Sequence, residues 1–435
     1  MTSRGTAKTL DRFAPSLALT FRRSVTFVFA ILQTQSAGAG MTSKQVEFSA
    51  FDHALMARAL RLAARGLFTT QPNPRVGCVI TQGGEVVGEG WHQRAGEPHA
   101  EVFALRAAGE RARAATAYVT LEPCSHHGRT PPCADALIEA GIARVVFASE
   151  DPNPKVAGAG IERMHEAGIA VETGLMRGVA RELNRGFFSR FERGRPWVRV
   201  KLAMSLDGRT ALANGESKWI TGEAARADVH RWRARSSAIL TGSGSARADD
   251  PRLTVRIEEA IHGAPSDRHP ASPSTAARDA PDIAQAQPFR PLRVVLDARL
   301  NALEPDAHLL DGSASTLVLH APGVKSIDGR YDRVECAELP ADANGRIDLA
   351  AALPLLADRQ VNELQVEAGP ALCGSLLEQN LVDELLLYVA PVLLGSHALP
   401  LLTLPPLADM AARHHLRVVE QRRVGNDLRL LLRLG

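Results

Sequence analysis

The chain is expected to fold as an α/β protein of two domains, on three observations. It has 435 residues, too many for one ordinary core. Short apolar runs alternate with stretches of helical period along most of it, the pattern of a mostly parallel sheet covered on both faces. The pattern also breaks once, near Arg193-Gly194-Arg195-Pro196, and then resumes. This places an N-terminal extension at 1–45, a first domain at 46–193 and a second at 194–435, with a flexible insertion at 257–291.

The extension carries Arg22 and Arg23 ahead of the apolar run Val25 to Leu32, which is too short to span a bilayer. A secretory leader is one reading; a disordered or mis-started segment ahead of Met41 suits the sparse cysteines better. Phe51 to Gly66 has apolar residues at helical spacing and a glycine stop. Gln71 to Arg75 is a proline-bounded loop, and strands are expected at Val76 to Ile80 and Glu85 to Gly90 around the Gly83-Gly84 turn. A helix over His99 to Arg111 follows, then a strand at Ala117 to Leu121, a helix at Cys133 to Ala140, a strand at Arg144 to Ala148 and a helix at Ile161 to Ala167. Past the break, strands are expected at Val198 to Ala203 and Ala238 to Leu240, separated by a helix over Glu223 to Arg235. Residues 257–291 are rich in Ala, Pro, Ser and Asp with no period. Strands at Leu292 to Leu296, Ser315 to Leu319 and Glu363 to Glu367, a helix at Gly374 to Gln379, and strands at Leu385 to Ala390, Leu416 to Glu420 and Leu428 to Leu434 complete the chain.

The net charge is +3, which leaves no footprint for nucleic acid over the whole chain. No membrane span is visible, and five scattered cysteines argue against a disulfide framework and for a reducing, cytoplasmic setting. Cys78, Cys336 and Cys373 read as buried small apolar residues.

The other two cysteines carry chemistry. His99-Ala100-Glu101 and Pro123-Cys124, with eight residues between Cys124 and Cys133, offer one imidazole, two thiols and one spare carboxylate. One His and two Cys hold zinc with a position left open for water in nucleobase deaminases, where a carboxylate two residues past the histidine moves protons. Zinc so held makes water a nucleophile near neutral pH, and Glu101 is placed to carry its proton to a leaving amine. Helices opening at Pro98 and Cys133 would favour the thiolates. The usual spacing of the two cysteines is C-x-x-C, so the fit to that signature is partial. Asn73 can be a turn former between prolines or a substrate contact, and the residues alone leave both open.

The second half has no G-x-G-x-x-G. Gly242-Ser243-Gly244 follows a strand, but the third glycine is missing and no properly started helix is expected after it. Gly369 to Ser375 could present main-chain N–H groups to a pyrophosphate, Trp219 a flat face, and Arg233 and Arg256 forked donors for a phosphate. Equally, Asp207-Gly208 could be only a turn, Arg233 a solvated helix face and Trp219 core.

Asn73-Pro74-Arg75-Val76-Gly77, His99-Ala100-Glu101 and Glu122 to Cys133, with its Cys-Ser-His-His-Gly-Arg-Thr-Pro-Pro-Cys run, resemble the pyrimidine deaminase half of the bifunctional riboflavin-biosynthesis deaminase/reductase family. That family has a long C-x-H-x-G-x-T-P-P-C stretch, which accounts for the spacing. Lys201 to Thr210, Glu216 to Thr221, Ser245 to Pro251, Leu253 to Arg256 and Glu367 to Pro370 resemble its reductase half. The resemblance runs from about residue 50 to the C-terminus without the insertion. It implies a cytidine-deaminase-like α/β/α domain followed by a dihydrofolate-reductase-like α/β domain. It implies one zinc on His99, Cys124 and Cys133, Glu101 as proton carrier, and Asn73 and His126 at the substrate. NADPH would meet Ala203, Trp219, Ser245, Asp249, Gly369, Pro370, Ala371, Leu372, Cys373, Gly374 and Ser375. Ser217, Arg233, Leu253, Arg256 and Glu367 would meet a ribosylamino-pyrimidine phosphate. Two departures stand out: Ser245, threonine in some members, and the insertion directly after Arg256.

The implied function is hydrolytic deamination of 2,5-diamino-6-ribosylamino-4(3H)-pyrimidinone 5′-phosphate, then NADPH-dependent reduction of its ribosyl side chain. The expected partner is this small pyrimidine phosphate, without nucleic acid or membrane, and the expected assembly is a homo-oligomer. The long loop between the cysteines weighs against a nucleic-acid or free-nucleobase deaminase, and the presence of Glu101 against a zinc-stabilised binding module.

Overall fold

A computed structural model describes residues 47–125, 131–154, 156, 158–256, 288–326 and 329–434. The chain from Phe48 onward forms one compact unit built on two large sheets. The expected extension, the loop around His126 and nearly all of the insertion lie outside the described residues.

Helix α1 (Ala50–Ala64) opens on a reciprocal cap: Ser49 accepts from the Asp52 N–H, and the Asp52 carboxylate accepts from the Ser49 N–H. Its buried face, Leu55, Met56, Ala59, Leu60 and Ala63, covers one side of the first sheet. Strands β1 (Gly77–Gln82) and β2 (Glu85–Trp91) form a hairpin around Gly83-Gly84, both glycines at positive φ. Helix α2 (Ala100–Ala108) lies on β2, and glycines permit this. A Cβ on Gly90 would sit 2.3 Å from the Ala100 carbonyl oxygen, and one on Gly88 2.2 Å from that of Ala104. The close approach sets the height of the α2 N-terminus, and with it His99.

Then come β3 (Thr116–Val119), α3 (Cys133–Glu139), β4 (Arg144–Phe147), α4 (Ala159–Glu166) and β5 (Ala170–Thr173). The order is β2-β1-β3-β4-β5, with β1 antiparallel to both β2 and β3 and only β3-β4-β5 parallel. The expectation of a mostly parallel sheet therefore fails in this lobe, because a two-glycine turn can join only antiparallel strands. Two further helices, α5 (Arg177–Leu183) and α6 (Arg185–Arg193), lead out of the lobe, and Gly194 stops α6 in the left-handed region.

The second lobe contains β6 (Trp197–Ser205), β7 (Arg209–Ala211), α7 (Glu223–Ala234), β8 (Ala238–Gly242), α8 (Ser243–Asp249), β9 (Leu292–Leu296), β10 (Thr316–His320), β11 (Glu335–Glu338), α9 (Leu349–Asp358) and β12 (Glu363–Val366). It closes with α10 (Pro370–Glu378), β13 (Glu384–Ala390), β14 (Leu399–Pro400), β15 (Leu416–Val424) and β16 (Asp427–Leu434). Nine of these strands make one sheet in the order β11-β10-β9-β8-β12-β6-β13-β16-β15. It is parallel from β11 to β13 and antiparallel at β16 and β15. A large aliphatic core, including Val200, Val294, Leu353, Leu364, Val366 and Leu387, is built on it.

Four expectations are corrected. A helix, α8, does follow β8 directly, with Gly242 as its N-cap. Helix α2 ends at Ala108 rather than Arg111, because Gly109 takes φ 54° and the chain tightens into a 3₁₀ turn. His99 is the cap of that helix, not its first turn. Cys336 is exposed, since β11 is an edge strand, while Cys78 and Cys373 are buried as expected. Among the described residues no helix is long and apolar enough to cross a membrane.

Candidate metal centre and nucleotide site

The first site forms where two helix starts meet the end of β3. His99 caps α2, Cys133 is the first residue of α3, and Cys124 lies in the loop that β3 feeds. The His99 Nδ1 is 3.5 Å from the Cys124 Sγ and 3.3 Å from the Cys133 Sγ, and all three ligand atoms lie within 4.8 Å of one another. Zinc at about 2.3 Å from sulfur and about 2.1 Å from nitrogen, in a tetrahedron, would set N and S about 3.6 Å apart. The donor set and its spacing therefore fit that ion.

The electrostatics agree. The Cys133 thiol points at Cys124 and the Cys133 N–H donates to its sulfur at 3.3 Å; with the His99 ring beside it, this brings the Cys124 thiol down to about 4 against the effect of burial. Cys133 is pushed well up by the Cys124 sulfur and by burial. Two thiols sharing one proton in this way release it to a cation readily.

Glu101, in the first turn of α2, is buried and does not belong to the ligand set. Its Oε2 has no hydrogen-bond partner, a costly state for a buried carboxylate unless a substrate or water completes it. Burial raises its pKa to about 6, although the His99 charge opposes this. A carboxyl group tuned to that range can take and return a proton at neutral pH.

One residue here escaped the sequence reading. The His92 Nδ1 faces the Pro98 carbonyl at 3.2 Å, and its Nε2 faces the Asn73 Nδ2 at 3.1 Å. A carbonyl only accepts and an amide nitrogen only donates, so His92 carries its proton on Nδ1 and is neutral. Burial, with the neighbouring His99, agrees, bringing His92 down to about 4. His92 thus ties Asn73 to the chain entering the ligand histidine, leaving the Asn73 carbonyl oxygen available.

The second site sits at the C-terminal ends of β8, β6 and β12. Arg233 of α7 donates from Nε and Nη2 to the two Glu367 oxygens, each at 2.7 Å, and from Nη1 to the Thr254 carbonyl at 3.1 Å. It is neither a solvated helix face nor an open fork. Glu367 is half-buried, and against the effect of that burial Arg233 and Lys201 hold it down to about 2. Lys201, not expected from sequence, faces the same group, and burial lowers its own pKa. Beside this pair, Gly369 caps α10 and a Cβ on it would sit 3.7 Å from the Ser245 Oγ. Gly242, the α8 cap, faces Leu372 in the same way. The start of α10 and that of α8 therefore meet over adjacent strands.

The remaining residues are placed less uniformly. Ala203 and Ser217 are half-buried, and Pro370, Leu372 and Ser375 likewise, while Ala371 is exposed. Cys373 packs in the core and Gly374 lies against the Thr403 main chain. The Leu253 side chain is also core. Trp219 is 70% exposed, with the Arg226 guanidinium 4.5 Å over its ring. Asp249 and Arg256 lie at the surface, the Arg256 N–H donating to the His230 Nδ1 at 3.2 Å.

A His/Cys/Cys zinc centre with a buried carboxylate, joined to a parallel-sheet lobe with an anion-ready helix start, defines a metal-dependent deaminase fused to a nucleotide-dependent enzyme. Comparison with known proteins agrees on both counts. Residues 49–149 match the cytidine and deoxycytidylate deaminase zinc-binding region, and residues 196–430 match the RibD C-terminal domain. The riboflavin biosynthesis protein RibD of Escherichia coli is 50% identical over 383 residues, covering 88% of this chain and 99% of that protein. The Haemophilus influenzae RibD is 46% identical, covering 88% and 98%. A solved structure of Acinetobacter baumannii RibD superposes with a TM-score of 0.76 at 41% identity, covering 88% and 99%. The Thermotoga maritima diaminohydroxyphosphoribosylaminopyrimidine deaminase/5-amino-6-(5-phosphoribosylamino)uracil reductase does so at 0.73 and 30%, also covering 88% and 99%.

The chain belongs to the RibD family of riboflavin-biosynthesis proteins. It is a bifunctional enzyme, a zinc-dependent pyrimidine deaminase and an NADPH-dependent reductase.

Proposed function

We propose that the two sites divide the work residue by residue. His99, Cys124 and Cys133 hold zinc, which when bound supplies the hydrolytic water at neutral pH. Asn73, fixed by His92, contacts the diaminopyrimidine ring, and His126, outside the described residues, contacts the substrate. Glu101 takes a proton on its unpartnered Oε2 and returns it to the departing amine. The isolated buried oxygen of Glu101 carries this reading. Glu101→Gln keeps the shape and removes the base. Ammonia release should fall about 10²- to 10⁴-fold while one zinc per chain is retained by mass spectrometry; ammonia release at the wild-type rate would refute the role.

In the second lobe, the stretch Gly369 to Ser375 at the start of α10 supplies the NADPH pyrophosphate site, and Ala203, Trp219, Ser245 and Asp249 complete the cofactor site. Ser217, Arg233, Leu253, Arg256 and Glu367 meet the ribosylamino-pyrimidine phosphate. Leu253 does so through main chain, since its side chain is core. The burial of Cys373 and Gly374 leaves Gly369, Pro370, Ala371, Leu372 and Ser375 as the members able to face a ligand. Hydride transfer to the sugar then depends on orientation of two bound molecules.

The lobes divide at residues 193–194, where Gly194 stops α6 and the first strand of the second sheet begins at Trp197. Free cysteines throughout suit the cytoplasm. A homo-oligomer is supported by β15, an edge strand exposing Leu416, Val418 and Val419 near exposed Leu407 and Met410.

A further inference from the structure

Asn73 is the middle of the loop Gln71 to Arg75, and both flanks of that loop are gripped by the second lobe. The Gln71 Oε1 accepts from the Asn362 Nδ2 and from the Ser237 hydroxyl, each at 2.9 Å, and the same Asn362 amide donates to the Pro72 carbonyl at 2.8 Å. The Gln71 Nε2 donates to the Arg235 carbonyl at 3.4 Å. On the other flank, the Arg75 Nη1 donates to the Glu363 Oε1 at 2.9 Å and to the Leu183 carbonyl at 2.6 Å. Glu363 is itself held by Arg199 at 2.8 Å. The main chain of Arg75 is clasped by the Asn184 amide from both sides, at 2.8 and 2.9 Å.

All five cross-lobe side chains, Gln71, Arg75, Ser237, Asn362 and Glu363, are buried, so these bonds form in a water-poor seam where an unmade one is costly. Within its own lobe the loop is held by the Thr70 carbonyl, His92, Leu67, Leu183 and Asn184, so the two lobes fix it jointly. Asn73 itself lines the seam beside Asn362 and Glu363. The partners also adjoin the strands that make the second site. Ser237 precedes β8, Asn362 precedes β12 and Glu363 opens it, and the chain runs on from β12 to Glu367.

We propose that the reductase lobe is a positioning part of the deaminase site. Asn362 and Ser237, through Gln71, and Glu363, through Arg75, set the height of Asn73 against the substrate ring. This rests on the reading of the first lobe as the deaminase and of Asn73 as a ring contact. The seam touches neither zinc nor Glu101, so its loss weakens substrate binding rather than the proton steps.

The test uses the full-length zinc enzyme with the diaminopyrimidine phosphate, following ammonia. Asn362→Leu keeps the branched outline of the side chain and removes both donated bonds. The KM for deamination should rise about tenfold with kcat within about twofold. Reduction of the deaminated pyrimidine by NADPH should keep its own KM and kcat, and zinc should stay at one per chain. Ser237→Ala, a smaller change, should raise the same KM about threefold and decides the matter if Asn362→Leu does not fold. An unchanged deamination KM in the folded variants overturns the proposal. So does a parallel fall of both activities, which a merely structural contact would give. A wild-type enzyme that releases no ammonia overturns the deaminase reading, and the seam's role falls with it.

Discussion

Glu367 shows how one side chain's surroundings set its charge. Burial alone would favour the neutral acid, yet the Arg233 fork and Lys201 hold it down to about 2, against an ordinary value of 4.5. Because the folded pKa is depressed, the stabilisation is present above about 4.5 and is lost as pH falls from there through about 2. Glu367→Gln should therefore be less stable near neutrality, with the Arg233 charge no longer countered by that carboxylate. It should also lose less Tm than wild type between about pH 5 and about pH 3. Equal slopes in thermal scans would show that the pair does not carry this linkage. The cluster of His99, Cys124 and Cys133 with Glu101 beside it was legible in the sequence because these residue types stand in recognisable spacings. The pairing of Asn73 with His92 was not, since neither residue type nor spacing marks a histidine at a strand end as a hydrogen-bond bridge. The Arg233–Glu367 pair was half legible: both residues were singled out, but their bond spans 134 positions.

Helix α10 owes its place to one missing methyl. A Cβ on Gly374 would stand 2.0 Å from the Thr403 carbonyl oxygen, a main-chain atom that cannot swing away. Gly374→Ala should push α10 off that segment, costing about 1–3 kcal/mol. A lower urea midpoint and a higher KM for NADPH are expected, since the α10 start moves with it; a variant with the wild-type values for both would contradict this placement. Most strands and helices could be read from period and stop signals, as with α1, whose apolar face repeats at helical spacing to a glycine. Helix α9 could not: it is apolar nearly all round and contains Pro354, so no stripe shows. Helices α5 and α6 are rich in arginine; α5 buries Ala180 alone, and α6 buries Arg185 and Ser189 beside Phe187 and Phe188, so no plain apolar stripe shows.

The two lobes share a seam that no local pattern reveals: Arg75 and Glu363 are 288 positions apart. Five arginines, Arg75, Arg185, Arg199, Arg235 and Arg433, lie around Glu363 and Glu384. Those positive charges hold both carboxyl groups below their usual range despite burial. At the far edge of the second sheet, Val418→Lys on β15 should shift the protein to a smaller species in sedimentation, as a charge on an edge strand blocks pairing; an unchanged sedimentation coefficient would place any self-association elsewhere.

Because each lobe carries its own chemistry, zinc should matter to one reaction alone. Stripping the purified enzyme with a chelator and following ammonia release and NADPH oxidation separately tests this most directly. Ammonia release from the diaminopyrimidine should vanish and return with added zinc, while oxidation of NADPH by the deaminated pyrimidine continues at its original rate. Ammonia release that survives removal of the last zinc would contradict the assignment of His99, Cys124, Cys133 and Glu101.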